Sequence, residues 1–180
     1  MRLKNLCETF FISDLHFGHL NILEYESKAR PFKTLEEMHE TLIDNWNKTV
    51  GPYDKVFVFG DFAFGANNVD IAYKLRGQKR LVLGNHDKYP PHLYLEHFLS
   101  IHGCMFWNDC ILTHVPVHPL MLEHRSKMNV HGHLHSKHIL TTAAQIDKRY
   151  FNVSCEVINL TPINADIILD TLKGLNYGIT

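Results

Sequence analysis

Five short apolar runs in this chain each end in a cluster of polar residues. Phe10-Phe11-Ile12 leads into Asp14-Leu15-His16, and Val56-Phe57-Val58-Phe59 into Gly60-Asp61. Leu81-Val82-Leu83 leads into Gly84-Asn85-His86-Asp87, Cys110-Ile111-Leu112 into His114, and Met128-Asn129-Val130 into Gly132-His133-Leu134-His135. Short apolar runs bounded by turn residues read as strands buried on both faces, the pattern of parallel sheets. In open α/β sheets ligands gather beyond the carboxyl ends of the strands, so clusters far apart in the chain can converge on one crevice. Carboxylate, amide and imidazole groups are the donors that divalent metal ions bind.

Helices alternate with these strands. Thr34 and Glu37 form a capping box, and Leu35, Met38, Leu42, Trp46 and Val50 fall on one face, which predicts a helix from Thr34 to Val50 ended by Gly51-Pro52. A shorter helix is expected over Asn68–Arg76, capped by Asn67 and stopped at Gly77. Another is expected over Ala165–Lys173, with Asn164 as its cap and Gly174 as its terminator. Phe106 to Cys110 reads as a hairpin feeding the strand before His114. The fold class is therefore α/β, and residues 1–180 are read as one domain, a length that buries a sizeable core at 45% apolar composition.

A net charge of −1 argues against a surface for extended duplex nucleic acid, so a phosphate would have to be drawn in locally. Cys7, Cys104, Cys110 and Cys155 lack metal-binding or redox spacing, and no apolar stretch is long enough for a membrane span. Reduced thiols in a cytoplasmic protein are the expectation, with no membrane association; the oligomeric state is left open.

The order D-x-H, G-D, G-N-H-D, H, G-H-x-H resembles that of the calcineurin-like metallophosphoesterases, in their compact single-domain bacterial and phage form. Asn152-Val153-Ser154-Cys155-Glu156, followed by Pro162, is similar to the final strand and helix of such members. The resemblance implies a four-layer α/β/β/α sandwich. It also implies a dinuclear centre in which Asp14, His16, Asp61 and His135 hold one metal, and Asp61, Asn85, His114 and His133 the other. Two dications roughly 3.5–4 Å apart need a bridging anion, the place assigned to Asp61. An amide at Asn85 ligates without cancelling the positive charge that receives a phosphate. Manganese is the first expectation, with iron, zinc or nickel compatible.

The implied reaction is hydrolysis of phosphate mono- or diesters by a hydroxide bridging the metals. Small nucleotides or cyclic phosphodiesters are the expected substrates. His86 would protonate the leaving oxygen, with Asp87 orienting its ring. His131 is read as a core or supporting histidine. Phe17-Gly18-His19-Leu20-Asn21 and Arg30-Pro31-Phe32 resemble a subgroup carrying H-F-G-H-x-N and R-P-F, which makes His19, Asn21 and Arg30 candidates for substrate contact. The residue after His114 is Val115, where relatives often carry an aromatic. The alternative is a protein-interaction scaffold of the same fold, a reading that a complete polar set speaks against.

Overall fold

The computed structural model describes residues 7–176. Its strands are β1 (Thr9–Ile12), β2 (Lys55–Val58), β3 (Gln78–Val82), β4 (Ile101–His102), β5 (Met105–Trp107), β6 (Cys110–Leu112), β7 (Met128–His131), β8 (Tyr150–Asn152) and β9 (Ile163–Asn164). Its α-helices are α1 (Ile22–Tyr25), α2 (Leu35–Thr49), α3 (Pro91–Leu95) and α4 (Ala165–Asn176). One sheet has the order β4-β3-β2-β1-β9, parallel except for β9; the other is β5-β6-β7-β8, parallel except for β5. The fold is mixed α/β, built on two largely parallel sheets.

Alternation along each strand decides what the sheets face. Phe10 and Ile12 of β1, Val56 and Val58 of β2 and Leu81 of β3 pack with Met38, Leu42 and Trp46 of α2. The opposite face carries Phe11, Phe57 and Val82, which join Cys110, Leu112, Met128 and Val130 of the second sheet in a cluster between the sheets. Ala165, Ile168 and Leu172 of α4 enter that same cluster. On its other side the second sheet sets Ile111 and Tyr150 against Leu122 of the 3-10 turn Pro119–Leu122.

Three sequence expectations need correcting. In α2 the Thr34 Oγ1 accepts from Glu37 N–H at 3.2 Å, but Glu37 Oε2 accepts from Lys33 N–H, so the return bond of the capping box skips Thr34 itself. The segment Ala66–Lys74 is a 3-10 helix entered at Gly65, and Asn67 lies inside it rather than capping it. Val69, Ala72 and Leu75 are buried at intervals of three, the period of a 3-10 helix. The last helix does begin with Asn164 Oδ1 accepting from Asp166 N–H at 2.9 Å, yet it runs through Gly174 to Asn176. Leu172 and the half-buried Leu175 pack in the inter-sheet cluster. Their burial outweighs the ~1 kcal/mol that glycine costs in a helix interior. No helix among the described residues is long and apolar enough to cross a membrane.

Candidate metal centre

A backbone bridge between Ser13 and Ser154 ties the carboxyl end of β1 to the segment after β8, joining the two sheets at one edge. Just beyond the strand ends the chain turns sharply. Asp14, His16, Asp61, His133 and His135 take left-handed backbone conformations, with φ of 57, 53, 49, 68 and 50°. Each such residue costs about 1–3 kcal/mol, and five of them approach the ~5–15 kcal/mol net stability of a whole domain. The turns persist because neighbours dictate them. Asp14 N–H donates to Gly60 O at 3.1 Å and His16 N–H to Asp61 O at 3.0 Å, while His133 N–H donates to Asp14 Oδ2 at 2.9 Å. Asn152 Nδ2 donates to His135 O at 2.9 Å. The loops also approach too closely for side chains at several glycines: a Cβ at Gly132 would overlap Ser13 Oγ and Asp14 Oδ2, and one at Gly60, where φ is 81°, would collide with the Gly84 backbone.

Two groups of donors result. Asp14, His16 and His135 each bring one ligand atom within 4.8 Å of the others, and so do Asp61, His114 and His133. Asp61 Oδ2 lies 3.8 Å from His16 Nε2 of the first group and 3.5 Å from His114 Nε2 of its own, between the two. Asn85 adjoins the second group, its Oδ1 3.0 Å from His114 Nε2.

With His114 neutral, these contacts set acceptor against acceptor. His114 Nδ1 donates to Phe59 O at 2.6 Å, which turns Nε2 toward Asn85 Oδ1, toward His133 Nδ1 at 3.2 Å and toward Asp61 Oδ2. In the first group Asp14 Oδ1 and His16 Nε2 are buried, 3.8 Å apart, and without any hydrogen-bond partner. Buried polar atoms are paired as a rule, so orphaned lone pairs facing one another mark a place for positive charge. The donor set of carboxylate, imidazole and amide, with no thiolate, fits divalent cations.

Protons report the same field. Burial alone would raise the Asp14 and Asp61 carboxyls, but the imidazoles beside them, His16 and His114 foremost, hold both below the usual range. Burial pushes His16 and His133 down, leaving their lone pairs free at neutral pH. His114 goes the other way, for burial is outweighed by Asp61 and Asp14, and it is pushed up to about 8. In the metal-free chain that proton occupies the ground a cation would take.

The remaining residues singled out in the sequence fall differently. His86 borders the centre, its Nε2 3.9 Å from Asp61 Oδ2 and its side chain 38% exposed, while its backbone N–H donates to Asp61 Oδ1 at 2.9 Å. Asp87 does not orient the His86 ring. Its carboxylate accepts from the backbone N–H groups of Asp61 and Gly84, both at 2.8 Å, and of Phe62 at 3.1 Å, clamping the two loops together. His19 lies at the rim with Nδ1 3.1 Å from His16 Nδ1, and burial and the His16 charge push it down to about 4. Asn21 is exposed at the start of α1 and has no side-chain cap bond.

Arg30 is a correction. It is fully buried, and its guanidinium donates to Asp14 O, to Leu15 O at 3.2 Å and to Glu156 Oε1 at 2.7 Å, so it braces the Asp14 turn from beneath and has no face left for substrate. His131 is buried, its Nδ1 2.8 Å from Gly132 O, and burial pushes it down to about 4.

Two participants escaped the sequence reading. Phe64 is stacked on His19 with ring centroids 3.8 Å apart, and lies 4.6 Å from His86 and 5.3 Å from His16, an aromatic plate beside the donors. Glu156 Oε1 sits 3.1 Å from His135 Nδ1. Glu156 follows the run Val153-Ser154-Cys155 at the end of β8 and so repeats the strand-then-polar pattern that revealed the other clusters.

No protein-family model matches the chain. It is 34% identical over 169 residues to an uncharacterized protein of Methanocaldococcus jannaschii, spanning 91% of this chain and 90% of that one. It is 27% identical over 186 residues to the Gene 66 protein of Mycobacterium phage L5, spanning 84% and 87%. Among solved structures it resembles a protein of unknown function from Aquifex aeolicus, with a TM-score of 0.71 and 25% identity over 92% of this chain and 99% of that one.

Proposed function

We propose that this chain, which belongs to one family with the uncharacterized Methanocaldococcus jannaschii protein, is a metal-dependent hydrolase of phosphate mono- or diesters of the calcineurin-like type. The observation that carries the reading is Asp61 Oδ2, set between two groups of donors, in the first of which the buried Asp14 Oδ1 and His16 Nε2 face one another without hydrogen-bond partners. Asp14, His16, Asp61 and His135 would hold one divalent ion and Asp61, Asn85, His114 and His133 a second, with manganese first and iron, zinc or nickel compatible. Bound there, the ions would neutralise phosphate oxygens and acidify water at neutral pH. His86 borders the centre and is exposed enough to reach a leaving oxygen, which suits a general acid. His19 and Asn21 remain candidates for substrate contact, with Phe64 added as an apolar wall.

Small nucleotides or cyclic phosphodiesters are the proposed substrates, and extended duplex nucleic acid and membranes are not proposed partners. A four-layer α/β/β/α sandwich forming one domain, working among reduced thiols in a cytoplasm, completes the reading; all four cysteines are free. The scaffold alternative requires none of the seven donors, and all seven are at the strand ends.

The test is to load the purified chain with manganese and assay a panel of nucleotide monoesters, cyclic phosphodiesters and nitrophenyl esters. Hydrolysis that a chelator abolishes and manganese restores is the expected result. A metal content near zero after loading, with circular dichroism unchanged, would overturn the proposal.

The protonation of the centre gives a second expectation. His114 must be neutral to ligate, and in the metal-free chain its pKa is about 8. Metal and proton therefore compete below pH 8, so affinity should fall about tenfold for each pH unit below it. His135, which its hydrogen bond to Glu156 holds above its ordinary 6.5 against the effect of burial, adds a second competing proton, and the fall steepens further below 6.5 as His16 and His133 begin to protonate. Calorimetry at pH 7 in two buffers of different ionisation enthalpy should register at least about one proton released per chain, from His114 with a contribution from His135. Heats that do not depend on the buffer would count against the assignment of His114.

A further inference from the structure

Arg30 and Glu156 form an ion pair, Nε to Oε1 at 2.7 Å, whose two side chains are entirely shielded from solvent. A pair this deep is a poor source of stability, because desolvating the charges costs about what their attraction returns. What the pair touches is more telling. Arg30 donates to Asp14 O and Leu15 O, the backbone of the first ligand turn, and Glu156 Oε1 receives His135 Nδ1 at 3.1 Å. Two of the three donors of the Asp14, His16 and His135 group therefore hang on one buried ion pair. Among the described residues no hydrogen bond joins the pair to Asp61, His114 or His133, and His114 takes its orientation from Phe59 O instead.

Glu156 is tied on one oxygen only, for its Oε2 is buried without a partner. Oε1 faces both the guanidinium, which can only donate, and the His135 ring. The carboxylate thus acts as an acceptor, which fixes the proton of a neutral His135 on Nδ1 and leaves Nε2 as the lone pair for the centre.

We propose that Glu156, anchored by Arg30, is a positioning residue that sets the tautomer and aim of His135 and controls metal occupancy of the first donor group alone. The proposal rests on the two-metal reading given above. Carboxylates behind ligating imidazoles characteristically contribute about 10–100-fold in metal affinity.

The experiment is a manganese titration of the wild-type chain and of Glu156→Gln by calorimetry, with metal content measured after gel filtration. The glutamine keeps the shape and an acceptor oxygen but loses the charge. One class of site should weaken by at least about tenfold while the other keeps its wild-type affinity. Nitrogen-15 spectra of the wild-type metal-free chain, recorded above pH 8, should show His135 protonated on Nδ1, a reading that needs no variant to fold. Equal weakening of both sites, unchanged affinity at both, or His135 carrying its proton on Nε2 would overturn the proposal. If the wild-type chain itself binds no metal, the two-metal reading has failed; if it binds two and Glu156→Gln binds two with equal affinity, only the positioning role has.

Discussion

Asp61→Asn is expected to deplete both halves of the centre while leaving the fold intact. Asn tolerates the left-handed backbone that residue 61 adopts, with φ of 49°, and its amide oxygen can still accept from His86 N–H. The substitution therefore removes little except the charge between His16 Nε2 and His114 Nε2. Losing even an outer partner of a ligand weakens metal binding about 10–100-fold. Removal of the shared carboxylate should exceed that at both sites. Metal content should drop from near two per chain to well below one, and hydrolysis should fall with it. Elemental analysis and calorimetry check the first, and turnover at saturating manganese the second. An Asp61→Asn chain with full metal and full rate would assign the bridge to another residue.

The second large effect concerns His86, where the structure separates backbone from ring. The bond to Asp61 comes from His86 N–H and survives any substitution, whereas the ring stands 3.9 Å from Asp61 Oδ2 beside Phe64. If the ring protonates the departing oxygen, His86→Asn should slow esters of weakly acidic alcohols by roughly 10²–10⁴ in kcat and leave nitrophenyl esters, whose leaving group needs no proton, much less affected. Metal content should not change. An equal decline on both classes, accompanied by loss of metal, would make His86 an organiser of the centre and remove the acid role.

The donors were legible in the sequence because a parallel strand must be apolar on both faces and the turn after it need not be. Asp14, His16, Asp61, Asn85, His114, His133 and His135 each stand where that change of character occurs. The roles of their neighbours were not legible, for a pattern along the chain does not say which way a side chain turns. Arg30 before Pro31 reads as a candidate for substrate contact, yet tertiary packing draws its guanidinium under the Asp14 turn. Asp87 reads as the partner of His86 beside it, but three backbone N–H groups converge on its carboxylate and hold it. Glu156 was visible as part of a strand-like run, while its connection to His135 spans 21 residues and exists only in the fold. The 3-10 helix did carry a signal, the period of three in Val69, Ala72 and Leu75, which a search for 3.6 passes over.

The five left-handed turns have a consequence for how much of this protein a cell would contain. A chain whose donors are strained and whose buried Asp14 Oδ1 lacks a partner would be less stable without the proposed metal than with it. A ligand present at a hundred times its dissociation constant stabilises the folded state by about 2.7 kcal/mol, on the scale of one or two of those turns. Stability differences of that size alter steady-state abundance several-fold, because proteases clear chains in proportion to the time they spend open. Under metal scarcity the apo form would be degraded first, and the amount of protein would follow the metal supply with no regulator of transcription involved.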